Sequence, residues 1–374
     1  MSGKVLLLAG GTVIDPQNKL NGKADVLIRD GLVEKVAAEI RPEPGWEVED
    51  VKGLYVSPGW IDLHAHVTAD LTLSGIEPDD AGVKTGVTTV VDAGSVGALG
   101  VKAFKRYVTD PSKTSVILLL NAGMATGMAV KGTYTDVRNV NIKIALQAIE
   151  KFPDFVKGIK IMASITQVGD NGFEPVKMAK KMASLAGLPL MVHIGNPPPI
   201  IEDVLNLLGE GDIVTHTYHG KPGGILDRHG KVIPEAWAAR KRGVWFDVGH
   251  GSESFSFGTF KKAMAEGFGP DSISTDLHTK NFKGPVFSMG TTMSKFLALG
   301  LSLEEVIDQS TRRPAKVLGL PVGQLTPGAV ADVTAFKVAD EAATLKDSEG
   351  APMQVSKMIR PVLTVKSGMK VWSA

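Results

Sequence analysis

The sequence predicts an α/β protein: a (β/α)8 TIM barrel with a small composite β-sandwich formed by the N- and C-terminal segments. Three observations support this. Eight apolar runs alternate with helix-like stretches through the middle of the chain, as parallel strands joined by helices require. Both ends instead show the alternating texture of half-buried strands. With 374 residues the chain suits one barrel plus a small additional domain. The expected division is residues 1–56 and 320–374 for the sandwich and 57–319 for the barrel.

Residues 4–56 read as short strands: 4–8, 12–15, 24–28, 32–36 and 46–51. Arg29-Asp30-Gly31 separates the third from the fourth, and an Asp-Gly step between apolar runs marks a hairpin. The eight runs of the barrel are 54–66, 86–94, 114–123, 156–164, 188–195, 212–218, 244–249 and 273–278. They are rich in Val, Ile and Leu, the composition of strands buried on both faces. Helical spacing appears between them, as in 141–150 and 176–186. Helices are expected next around 287–299 and 303–309, the second opened by a Ser302-x-x-Glu305 capping box. Strand texture returns at 331–336 and 361–365.

Formal net charge is +1, from 41 basic and 40 acidic residues, which gives no electrostatic footprint for nucleic acid or anionic lipid. The runs Lys180-Lys181 and Arg240-Lys241-Arg242 are expected to be solvated helix faces. The absence of cysteine excludes disulfides, thiolate ligands and a Cys nucleophile. No apolar run reaches membrane-spanning length, and Val5–Ala9 is too short for a signal-peptide core, so a cytoplasmic protein is expected.

The first run ends in Trp60-Ile61-Asp62-Leu63-His64-Ala65-His66. On a strand, His-x-His places two imidazoles on one face, where they can chelate an ion; it equally fits a pair satisfying local hydrogen bonds. Barrels of this kind place their chemistry at the C-terminal strand ends, so further ligands should lie there. Lys160 sits within the apolar run Val156–Met162. Burial makes an ammonium costly and favours the neutral amine, which can add carbon dioxide and become an anionic carbamate ligand. A lysine whose tip meets a carboxylate fits the same position. His193 closes the fifth run, His216 the sixth, and Asp276 the eighth. Asp276 could bind an ion and accept a proton, or cap the following helix. Six candidate ligands at five strand ends are more specific than any one alone.

These motifs, with Gly158-Ile159-Lys160, Thr215-His216, Asp247-Val248-Gly249-His250-Gly251, Ser274-Thr275-Asp276, Pro314-Ala315 and Pro327–Asp332, resemble the amidohydrolase superfamily, and within it the dihydroorotase-related amidohydrolase/deacetylase branch. The resemblance covers nearly the whole chain. It implies two divalent metal ions: His64, His66 and Asp276 on one, His193 and His216 on the other, and carboxylated Lys160 bridging them. Zinc suits such a ligand set; manganese, iron and cobalt remain open. It also implies metal-activated hydroxide, with Asp276 moving the proton, and a homo-oligomer acting on a small molecule. The implied reaction is hydrolysis of an amide or ester in a small acylated carboxylate, an N-acyl amino acid or O-acyl hydroxy acid. Dihydroorotases carry His-x-His-x-Arg at the first strand, whereas here Thr68 holds the arginine's place. A cyclic-amide hydrolase of the dihydroorotase or hydantoinase kind is the alternative enzyme, and a catalytically silent scaffold the alternative of another class. His219, His250 and His278 are candidate substrate contacts or loop-ordering residues. Lys131, Tyr134 and Arg138 could supply a charge or hydroxyl from the loop after the third run, or form a solvated loop.

Overall fold

The computed structural model describes residues 4–125 and 130–374, which form two sheets with helices packed around the second. The chain opens with β1 (Val5–Asp15), β2 (Leu20–Arg29), β3 (Leu32–Ala37), β4 (Glu47–Asp50) and β5 (Tyr55–Pro58). Arg29 faces Leu32 across the expected two-residue hairpin, and Asp30 and Gly31 have φ of +51° and +84°. Both positive angles belong to a type I′ turn, which matches the twist of the flanking strands. The strands expected at 4–8 and 12–15 are one strand, because an irregularity between Leu8 and Gly11 carries the ladder past Gly10, φ +82°.

The second sheet is parallel throughout. It runs from β6 (Trp60–Ala65) through β7 (Val87–Gly97), β8 (Ser115–Asn121), β9 (Val156–Ala163), β10 (Leu190–Ile194) and β11 (Ile213–Thr215) to β12 (Trp245–Phe246), each strand beside its predecessor. Helices occupy the crossovers. Asn141 caps the helix Ile142–Lys151 by accepting from Ile144 N–H at 3.1 Å. The helix Glu174–Ala186 buries Val176, Ala179, Met182 and Ala183. One fully buried aliphatic side chain contributes about 1.5–3 kcal/mol, so such a face outweighs helix propensity. The eighth run is not a regular strand. Ser272 bridges Asp247 at one sheet edge and Leu277 bridges Ala65 at the other, while the φ of +49° at Asp276 interrupts any extended ladder between them.

The capping box forms as expected: Ser302 Oγ accepts from Glu305 N–H at 3.2 Å and Glu305 Oε2 accepts from Ser302 N–H at 2.7 Å, opening the helix Leu303–Asp308. The chain then returns to the first sheet as β13 (Val333–Lys346), β14 (Pro352–Lys366) and β15 (Met369–Ser373). β13 pairs antiparallel with β5, so both chain ends share one eight-stranded sheet in the order β15-β14-β13-β5-β1-β2-β3, with β4 against β1. Leu6, Leu8, Val13, Val26, Val56, Val333 and Leu363 form its core.

Lys181, Lys241 and Arg242 are exposed, as expected of the basic runs, whereas Lys180 and Arg240 are half-buried. Lys180 bonds the buried Asp212, and the Arg240 guanidinium lies 3.9 Å from the Phe268 ring centroid and donates to Gly269 O at 2.6 Å. Long cationic stems bury readily when their heads find partners. Among the described residues, no helix is long and apolar enough to cross a membrane.

Candidate metal centre

Asp62, His64 and His66 alternate along the end of β6 and are all buried. Each imidazole is fixed from behind by a hydroxyl and a carboxylate. His64 Nδ1 lies 2.8 Å from Thr215 Oγ1, which donates its own proton to Asp247 Oδ2 at 2.7 Å. His66 Nδ1 lies 2.9 Å from Ser95 Oγ, which donates to Asp92 Oδ2 at 2.8 Å. A hydroxyl has one proton to give, so each must accept from the imidazole, and both histidines carry hydrogen on Nδ1. Their Nε2 atoms therefore point forward, toward Asp276.

That direction tests the site for a cation. His66 Nε2 lies 3.0 Å and His64 Nε2 3.5 Å from Asp276 Oδ1, and the three ligand atoms fall within 4.8 Å of one another. Burial, with Lys160 nearby, depresses His64 well below its ordinary pKa and keeps it uncharged. Two buried imidazole Nε2 atoms and a carboxylate oxygen converging on one point form a donor set that suits a divalent cation. The residues fit the metal.

Lys160 adjoins this group from β9. Its Nζ lies 3.0 Å from His64 Nε2 and 3.3 Å from Ala93 O, and its stem passes Gly94, where a Cβ would come within 2.7 Å of Lys160 Cγ. Burial lowers the Lys160 pKa to about 8, against the pull of Asp276, Asp247 and Asp92. A neutral amine is thus accessible near physiological pH.

His193 and His216 face the same cavity, their rings edge-on with centroids 4.3 Å apart. His216 Nδ1–H donates to Gly249 O at 2.6 Å, leaving Nε2 as a ligand atom. Burial lowers its pKa to about 3 despite Asp276. His216 and Asp276 have φ of +66° and +49°, and such angles in side-chain-bearing residues concentrate where a site imposes them. The structure thus brings all six candidate ligands to one cavity of 270 Å³.

His278 also lines this cavity, whereas His219 and His250 are buried outside its lining. His219 Nδ1 accepts from Lys221 N–H at 3.1 Å, and its buried Nε2 has no partner among the described residues. Tyr134 is a core residue donating to Asn121 Oδ1 at 2.9 Å; Arg138 pairs with Asp136, and Lys131 is exposed. Ser164, Gln167, Lys221 and Glu253 line the cavity without having been singled out from the sequence. Ser164, just past β9 and four residues beyond Lys160, had a usable signal in its spacing; Gln167 lies in the one-turn helix Ile165–Val168, too short to show a period, and Lys221 and Glu253 lie on loops, where side-chain direction has none.

With this geometry in place, comparison with known proteins is direct. The Amidohydrolase family matches residues 55–370, and the chain belongs to that family of hydrolytic enzymes acting on carbon–nitrogen bonds. It is 38% identical to a deacetylase of Enterococcus faecalis, covering 92% of this chain and 94% of that protein. A deacetylase of Agrobacterium fabrum is 35% identical, covering 90% and 84%. Among solved structures, one described as an adenine deaminase superimposes with a TM-score of 0.94 at 37% identity, covering 99% of each chain. One described as a dihydroorotase gives 0.91 at 32%, covering 99% of this chain and 98% of that one.

Proposed function

We propose that this chain is a divalent-metal-dependent deacetylase of small acylated carboxylates, N-acyl amino acids or O-acyl hydroxy acids. The carrying observation is the convergence of His64 Nε2, His66 Nε2 and Asp276 Oδ1, which calls for a cation, beside a lysine with an accessible neutral amine. The deacetylase-named relatives favour acyl hydrolysis. In this reading the eighth run completes a closed (β/α)8 barrel, and the terminal segments pack as the composite sandwich. His64, His66 and Asp276 would hold one ion and His193 and His216 the other, with carboxylated Lys160 as a further ligand and zinc as the natural occupant. Bound there, such ions provide an acidified water and a polarised scissile carbonyl. Asp276 accepts the attacking water's proton and returns it to the leaving group.

Substrate recognition falls to Lys221 and His278. Lys221 Nζ lies 3.3 Å from the exposed Glu253 carboxylate at the cavity mouth. Exposed pairs are weak, so the ammonium can turn to a substrate carboxylate. Thr68 cannot replace a dihydroorotase arginine: it is buried, with Oγ1 2.6 Å from Thr72 Oγ1. Steady-state turnover of metal-loaded protein on N-acetyl amino acids, O-acetyl hydroxy acids, dihydroorotate, a hydantoin and adenine tests the reading. Preference for an acyclic acetyl carboxylate, with KM raised at least tenfold in Lys221→Met, is the expected result. Preference for a ring amide or for adenine overturns it.

A further inference from the structure

The terminal sheet reaches the candidate centre from behind. The tip of the β13–β14 hairpin lies against the loop after β12. Ser348 N–H donates to Phe255 O at 3.0 Å, Asp347 Oδ2 accepts from Phe257 N–H at 2.9 Å, and Glu349 Oε2 accepts from Ser256 Oγ at 2.7 Å. Ser348 Oγ lies 2.8 Å from Gly251 O and 2.9 Å from His250 O. Beneath the tip, the helix Met289–Ala298 supplies Lys295, which is fully buried. Its Nζ lies 2.8 Å from each of His250 Nε2, Pro285 O and Lys346 O. Three acceptors match the three N–H groups of an ammonium. Because His250 Nε2 accepts, Nδ1 carries the hydrogen and donates to Gly251 O at 3.0 Å.

The turn gripped in this way is the one that touches two candidate ligands on its other side. Gly249 O accepts from His216 Nδ1–H, and Gly249 N–H donates to Ser274 Oγ at 3.0 Å. Gly251 has φ +58° and passes so near Asp276 that a Cβ there would lie 2.5 Å from Oδ2. The position of this tripeptide therefore governs the tautomer of His216 and the space available to Asp276.

We propose that Lys295, His250 and Ser348 form a clamp between the two sheets whose task is to position the 249–251 turn, and through it His216 and Asp276. These are positioning residues, not catalytic ones. The terminal sheet in this account is part of the hydrolytic machinery and not only a stabilising appendage. A lysine serving only to dock the hairpin would not need to meet His250, since the Pro285 and Lys346 carbonyls already join the hairpin to the barrel.

The proposal rests on the metal-binding reading of the site, and zinc affinity by chelator competition tests it apart from activity. Ser348→Ala is expected to weaken zinc retention about tenfold, and Lys295→Met by up to about a hundredfold, the range for residues supporting metal ligands. kcat should fall in parallel, with KM within about twofold, since the turn supports Asp276 and not the substrate. Thr344→Ala, whose hydroxyl bonds Gln354 Oε1 on the exposed part of the same hairpin, should leave both unchanged. Should Lys295→Met fail to fold, Ser348→Ala decides. Folded variants with wild-type zinc affinity and kcat overturn the clamp alone. Wild-type protein that takes up no zinc overturns the metal reading and the clamp together.

Discussion

The two halves of the candidate centre are braced differently. On the β6 side, both imidazoles back onto a hydroxyl–carboxylate relay, Thr215–Asp247 and Ser95–Asp92. Asp247 accepts also from Ser272 and Ser274, at 2.6 and 2.7 Å, and Asp62 accepts from Thr275 N–H at 3.0 Å. On the β10–β11 side, His216 has one backbone carbonyl behind it, and His193 is half-buried with its ring against His216. Both kinds of partner fix a ring and its tautomer, but the relays place a carboxylate charge behind each imidazole, whereas the carbonyl behind His216 carries none. If the site holds two ions as proposed, the contrast predicts one more rigidly held position and one more adaptable.

Asp276 sits between the halves, so its loss should be the largest effect. Asp276→Asn keeps the shape but loses both the proton acceptor and a charged ligand. A fall in kcat of about 10³-fold or more is expected, drawing on the 10²–10⁴ typical of a general acid–base group together with weakened ion binding. A drop below about tenfold would remove Asp276 from the proton path.

Gly249 ties the halves together. With φ +50°, a Cβ at this position would come within 2.3 Å of Thr215 Oγ1 and 2.8 Å of His216 Nδ1. Gly249→Ala should therefore disturb the His64 relay and the His216 hydrogen bond at once. We expect kcat lower by about 10²-fold, comparable with a ligand misplaced by an ångström. Metal content and kinetics near wild type would show that the turn can relax away from both contacts.

The difference in bracing is itself measurable. Asp92→Asn, which removes the charge behind Ser95 and His66, should weaken the first ion about 10- to 100-fold. In wild type, chelator titration should release two ions in separate steps, that held by His193 and His216 first. His193→Ala should abolish the early step and preserve the late one. Release of both ions in a single step would mean that the halves act as one unit.

What the sequence made legible follows the same division. His64, Lys160 and His193 lie within β6, β9 and β10, where alternation fixes direction, His66 and His216 fall one residue beyond β6 and β11, and all reach one cavity with Asp276. The relays were not legible, because Ser95 meets His66 and Asp247 meets Thr215 only through strand pairing across 29 and 32 residues. The eighth run had the composition of a strand, but a left-handed Asp276 cannot be read from composition. His250 shows how a strand-end rule fails on a loop: the residue faces backward because Lys295 and Ser348, far along the chain, hold it there. The cationic stem of Arg240 went the same way, drawn inward by two aromatic rings from separate loops and strands.

The smallest effect concerns the adaptable side and depends on pH. His219 follows β11, its Nδ1 accepting a backbone N–H and its Nε2 lacking a partner among the described residues; burial, then Lys221, lowers its pKa to about 4. The unfolded histidine titrates at its ordinary value of 6.5, so between these limits the unfolded chain binds the extra proton. This contribution to stability is thus fully present above pH 6.5 and is lost as pH falls toward 4. At pH 5.5 the loss should be about 1.4 kcal/mol relative to pH 8. His219→Gln cannot titrate, so the wild-type and variant unfolding free energies should draw closer by that amount on going from pH 8 to 5.5, measured on metal-free protein. A constant difference across the range would mean that His219 protonates in place, with Nε2 reaching water, and the loop after β11 would then be open on the side of His193 and His216.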